Sequence, residues 1–232
     1  MRGLLTSDLL RPEALDDPER KAALDALIDR VKNHPAMYAY HLVDEPSAAA
    51  FPAIGRLVAH LRERDPAHMG YINLLPIYAS NKQLGTEGTG NVTPYTEHLR
   101  RFVEIVKPAL LSYDHYQFRH GGADPNYFLN LSLVRTKALE SGLPFMNIVQ
   151  ASAWGATSLA SPVSPRVPTP DEMRYLVNTT LAYGAQGIAY YVYAYPDHQG
   201  GMLNADGAPT PIHEVLKTEN PQFVRMAREL QP

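Results

Sequence analysis

Short runs of apolar, β-branched and aromatic residues alternate along the chain with longer stretches of helical period. The strand-like runs are Gly3–Thr6, Met37–Val43, Met69–Leu75, Ala109–Tyr113, Phe145–Val149 and Gly187–Tyr193. Each is bounded by Pro, Gly or a polar cluster, as buried strands tend to be. Between them the pattern predicts helices over Pro12–Val31, Ala48–Arg64, Pro94–Val106, Asn126–Ser141, Pro170–Tyr183 and Thr210–Leu230. Start signals such as Ser47, Thr93-Pro94 and Thr169-Pro170-Asp171-Glu172 support these assignments, and Gly142 and Gly184 sit where helices would end. Asn220-Pro221 is expected to break the last helix, and Ser152–Pro168 to form a loop.

Successive strand-like runs begin about 32 to 42 residues apart. A strand and a crossover helix at that period predict parallel βα units. Runs such as Ile188–Tyr193 are apolar on both faces, as parallel strands covered by helices should be. Two architectures fit, an open doubly wound sheet and a (β/α)8 barrel. No G-x-G-x-x-G follows the first strand and no Walker-type loop occurs, which weakens the nucleotide-binding form of the open sheet.

In both architectures ligands bind at the carboxyl ends of the strands. Those ends here read Asp44-Glu45-Pro46, Asn73-Leu74-Leu75, Asp114-His115-Tyr116, Gln150-Ala151-Ser152-Ala153-Trp154 and Tyr193-Ala194-Tyr195. Carboxylates, amides and aromatic rings dominate, with hardly any Lys or Arg. A phosphate or carboxylate ligand would want cations or exposed glycine amides. A neutral polyhydroxy ligand wants acceptors, donors and ring faces, so the ligand class expected is carbohydrate.

Composition narrows the alternatives. The chain has 232 residues, 45% hydrophobic and 19% charged, with a formal net charge of −3 and no cysteine. That apolar fraction excludes a largely disordered chain. The absence of a basic run argues against nucleic acid and anionic membrane as partners. Zero cysteine removes disulfides, thiolate nucleophiles and zinc-thiolate sites. The histidines show no paired metal spacing, so neither a metal nor a cofactor is expected. No apolar run approaches the roughly 18 residues of a membrane span, and no signal peptide is evident, although localisation stays open because the N-terminus reads as truncated.

The string Met37-Tyr38-Ala39-Tyr40-His41-Leu42-Val43-Asp44-Glu45-Pro46 resembles the fourth strand of retaining (β/α)8-barrel glycoside hydrolases, which ends in Asn-Glu-Pro or a variant. Asp114-His115-Tyr116 resembles the His-x-Tyr of that clan's sixth strand, and Gly201–Thr210 with Asn220 resembles its eighth-strand exit and last helix. The resemblance implies an α/β, TIM-barrel-like single domain over residues 1–232, incomplete, with about six βα units matching strands three to eight. It implies Glu45 as general acid/base, Asp44 in the place of the Asn that contacts the sugar, and Tyr116 or His115 orienting a second carboxylate. Asn73, Gln150, Trp154 and Tyr193 complete the expected substrate contacts.

The resemblance departs at the nucleophile. The clan carries a Glu at the end of its seventh strand, where this chain has Gln150. Asp114 is the best substitute; a carboxyl pair about 6.5–9.5 Å apart would support inversion and one about 5–5.5 Å apart retention. The alternative is a non-catalytic carbohydrate-binding domain or a fragment of a larger glycosidase. A simpler reading exists for each motif as well: Asp-Glu-Pro is a good helix start, Asp114-His115-Tyr116 a satisfied polar network, and a lone Trp a core residue. Six units of about 37 residues fill the chain, whereas a closed barrel typically takes about 250 residues. Two units are therefore expected to be missing, leaving strand edges for an N-terminal segment or partner to cover.

Overall fold

A computed structural model describes residues 2–154, 162–194 and 197–230. Six strands and their crossover helices alternate along the chain, the βα succession of an incomplete (β/α)8, TIM-barrel-like α/β fold. The chain divides into two compact units, Met1–Leu111 with Glu140–Leu143, and Ser112–Leu139 with Pro144–Pro232.

The first unit carries β1 (Gly3–Leu5), β2 (Met37–Asp44) and β3 (Met69–Leu74), parallel and adjacent in chain order. Its helices are α1 (Pro18–Val31), α2 (Phe51–Arg64) and α3 (Val92–Arg101), the last continuing into a wider turn over Phe102–Val106. Leu24 and Ile28 of α1, Phe51, Leu57 and Leu61 of α2, and Ala39, Tyr40, Leu42, Ile72 and Leu74 of the strands form its core. Glycine is required at position 55, where a Cβ would stand 2.7 Å from the Ile105 carbonyl oxygen. β1 is the outer strand; Leu4 on it is exposed, beside an apolar groove of about 350 Å³ lined by Leu5, Val31 and Met37.

The second unit carries β4 (Leu111–Asp114, whose first residue belongs to the other unit), β5 (Phe145–Gln150) and β6 (Gly187–Tyr191), in the order β4-β5-β6. β5 and β6 run parallel, from Met146 opposite Gly187 to Gln150 opposite Tyr191. Its helices are α4 (Tyr127–Ser141), α5 (Pro170–Ala182) and α6 (Pro211–Leu230). Thr169 and Glu172 close a reciprocal capping box at the start of α5. Leu131, Val134, Met173, Leu176, Val177, Ile212, Leu216 and Phe223 are its buried apolar helix residues. No helix among the described residues is long and apolar enough to cross a membrane.

The expected strands match these spans to within two residues. Two helical expectations and one loop expectation do not hold. The first helix is split: Pro12–Leu15 is a separate short turn, and Asp17 then caps α1 by accepting from the Glu19 and Arg20 amides, with Pro18 at its first position. The expected break at Asn220-Pro221 is absent, and α6 runs unbroken from Pro211 to Leu230. Buried residues on both sides of Pro221, Leu216 and Phe223, keep the apolar face continuous, and Tyr190 Oη donates to Asn220 Oδ1 at 2.5 Å. The segment expected as a loop from Ser152 opens instead with a short strand, Ser152–Trp154, paired antiparallel with His198–Gly200. Part of that expected loop, 155–161, lies outside the described residues, as do 195–196.

Pro221 is exposed, and its ring withholds one amide from the α6 ladder at a cost of up to about 3 kcal/mol in a helix interior. Pro221→Ala restores that donor and removes no buried packing. The thermal unfolding midpoint is expected to rise by about 2 °C or more; a lower midpoint in calorimetry would show that the proline is needed.

Candidate active site

In the first unit the carboxyl ends of β2 and β3 are locked together. Asp44 lies opposite Asn73 in register, after a slip between His41 and Val43. The ladder then makes one further bond, in which the Glu45 amide donates to the Asn73 carbonyl at 2.9 Å. Asn73 is buried, and its Nδ2 donates to Asp44 Oδ1 at 3.1 Å. One residue of β3 therefore grips two successive residues of the β2 exit.

Glu45 has φ +49°, in the left-handed region that non-glycine residues seldom adopt. Pro46 follows it and independently disfavours helical backbone at the residue before. Such a conformation costs about 1–3 kcal/mol and persists only where its surroundings impose it. Here the Asn73 carbonyl on one side, and on the other the turn in which Ser47 accepts from the Ala49 amide, fix the bend. The residue as a whole stays open to solvent, but partial burial of its carboxyl raises the Glu45 pKa above its ordinary value, and the Asp44 carboxylate adds to the shift.

In the second unit Asp114 ends β4 and is 5% exposed. His115 is fully buried: Nδ1 meets Asn130 Oδ1 at 2.9 Å, Nε2 stands 4.0 Å from Asp124 Oδ2, and the Tyr127 ring lies edge-on at 5.7 Å. Burial lowers the His115 pKa, against the opposing pull of Asn130 and Asp124. The imidazole is thus an enclosed group tied to Asn130 and packed against Tyr127.

Tyr116, Trp154, Tyr191 and His198 form a ring cluster. Tyr116 contacts Trp154 at 4.8 Å and Tyr191 at 5.4 Å, and Trp154 meets Tyr191 edge-on at 5.3 Å. His198 packs on Tyr191 at 5.3 Å, with Nε2 3.1 Å from the Tyr191 hydroxyl. His198 also borders an open cavity of about 620 Å³ with Gln199, Gly200, Leu203 and Asn204. Tyr193, expected as a substrate contact, is 56% exposed and lies past the end of β6, while Tyr191 is the tyrosine of the cluster. The partnership of His198 with Trp154 depends on a strand pairing that no local pattern announces.

Gln150 has no exposed surface and a committed amide. Its Oε1 accepts from the Phe118 amide at 2.9 Å, while Nε2 donates to the Phe118 carbonyl at 2.9 Å and the Arg166 carbonyl at 2.7 Å. The residue expected to touch substrate braces two loops instead. Arg166 extends the brace: its amide donates to the Phe118 carbonyl, and its guanidinium pairs with Glu172 and lies over the Phe118 ring. Among the described residues no group of three His, Asp or Glu side chains is placed to hold a metal ion.

The fold is that of TIM-barrel-like α/β proteins. No family model matches the chain, and no curated protein matches it. Solved structures do. A candidate α-L-fucosidase from Bacteroides thetaiotaomicron superposes with TM-score 0.57 at 10% identity, over 91% of this chain and 62% of that one. A GH99 endo-α-mannosidase from the same bacterium gives TM-score 0.56 at 13% identity, over 95% and 68%. The chain thus spans less than two thirds of the first and about two thirds of the second. At such identities the likeness is one of fold.

Gln150 satisfies three buried backbone groups, so Gln150→Ala is expected to cost at least about 2 kcal/mol of stability in denaturant unfolding. Gln150→Glu, which would supply the absent carboxylate, should cost more, because it sets a charge against the Phe118 and Arg166 carbonyls. A Gln150→Glu variant as stable as the wild type would refute the bracing role.

Proposed function

We propose that this chain is a glycoside hydrolase-like domain acting on O-glycosidic bonds of an oligo- or polysaccharide, with Glu45 as the general acid/base. The observation that carries the proposal is the backbone of Glu45: a non-glycine residue before proline, held at φ +49° at the carboxyl end of a parallel strand. Strain of that kind is kept where it positions a side chain. Its desolvated carboxyl beside Asp44 favours the protonated form, and a protonated acid at a departing glycosidic oxygen spares the leaving group an alkoxide charge.

In the first unit Asp44 accepts hydrogen bonds from sugar hydroxyls. In the second, Asp114 offers a further carboxylate, and the rings of Tyr116, Trp154 and Tyr191 offer faces to sugar C–H groups. His115 and Gln150 act through the segments they brace. The two similar structures, a candidate fucosidase and a mannosidase, support a carbohydrate substrate without selecting a sugar.

A second reading, carbohydrate binding without turnover, is favoured by the commitment of Gln150 to backbone carbonyls where a nucleophile is expected. A panel of aryl glycosides and polysaccharides separates the two. Under the first reading the wild type releases reducing ends, and Glu45→Gln lowers kcat at least about a hundredfold, the lower end of general acid–base contributions. Activity should fall as pH rises through the elevated Glu45 pKa, because the acid is then lost. Binding by isothermal calorimetry with no release from any substrate supports the second reading, and equal activity of wild type and Glu45→Gln removes Glu45 from the chemistry.

A further inference from the structure

Asn73 was expected to touch substrate, yet its placement describes a different task. It is buried at the end of β3 and makes two bonds to the β2 exit: backbone carbonyl to the Glu45 amide at 2.9 Å, and side-chain Nδ2 to Asp44 Oδ1 at 3.1 Å. The first bond holds Glu45 in its left-handed bend. The second holds an exposed carboxylate against the strand end, where it would otherwise swing into solvent. Resting on the proposed role of Glu45, we infer that Asn73 is a positioning residue that pins the Asp44 carboxylate and the Glu45 backbone together at the β2 exit.

The physics is that of two like charges. An ionised neighbour disfavours ionisation of a second carboxyl, and the effect depends on the two being kept close. Asp44 is free to turn about two side-chain bonds, and in water that freedom would weaken the repulsion. A donor from a buried amide removes that freedom and holds the carboxylate at the strand end. Within this unit Asp44 is the charged group that acts on the Glu45 carboxyl. β3 contributes the neutral amide of Asn73, and the turn after Pro46 contributes the Ser47 hydroxyl, which is spent on the Ala49 amide. The Asp-for-Asn difference from the clan motif then has a use. Asp44 supplies a charge that an amide could not, and Asn73 holds it in place.

The test is an NMR titration of isotope-labelled glutamate carboxyl carbons in the whole chain, with Glu45→Gln identifying the signal. Asp44→Asn and Asn73→Ala are each expected to move the Glu45 midpoint to lower pH. Adding Asn73→Ala to Asp44→Asn should give no further movement, because the charge Asn73 holds is already gone. An unchanged midpoint in Asn73→Ala overturns the inference, as does a shift that persists in full in the Asp44→Asn background. Should Asn73→Ala fail to fold, the exposed Asp44→Asn decides alone: no movement of the Glu45 midpoint refutes the coupling. The titration requires no turnover. A wild type inert on every glycoside would defeat the proposed activity and leave the carboxyl coupling to stand or fall by itself.

Discussion

The hydrogen bond from the Glu45 amide to the Asn73 carbonyl is the contact on which the candidate site depends. It is the last rung of the β2–β3 ladder, and it falls on a residue that has already left strand geometry. A parallel strand must release its chain into a crossover, and most strands do so through glycine or a flexible turn. Here the exit is made by a glutamate trapped between a backbone bond and a proline. The same neighbour, Asn73, restrains the residue before it. The bend at Glu45 and the tether on the Asp44 carboxylate thus follow from a single pairing between adjacent strands.

The second unit solves a different problem with buried polar groups. His115 and Gln150 are wholly enclosed, and each ties its strand end to distant chain, His115 to Asn130 and Gln150 to Phe118 and Arg166. Buried amides and imidazoles that find partners rigidify what lies above them; without partners they would be costly. The same unit carries the cluster of Tyr116, Trp154, Tyr191 and His198, bordered by an open cavity.

Much of this was legible in the sequence, for identifiable reasons. The six strands are continuous apolar runs bounded by Pro, Gly or polar residues, so their positions needed no tertiary information. The strand-end rule then led to Asp44, Glu45, Asn73 and Asp114. What could not be read was set by long-range partners. Gln150 looked like a substrate contact because its bonding partners lie 16 and 32 residues away. Trp154 was assigned to a loop because its strand is defined only by pairing with His198–Gly200. The run of alternating tyrosines does not say where β6 stops, so the place of Tyr191 in the ring cluster is not legible in it. Pro221 reads as a break because its local penalty is visible in sequence, while the continuous apolar face that outweighs it is visible only in three dimensions.

The central claim is that Glu45 donates a proton to a departing sugar oxygen, and dependence on the leaving group tests it most directly. A leaving group acidic enough to depart unaided needs no donor, whereas a basic alcohol does. The account predicts that Glu45→Ala retains most of its kcat on a dinitrophenyl glycoside of an accepted sugar and loses progressively more as the leaving group becomes more basic. A loss of the same size across the whole series, or no loss at all, would contradict it.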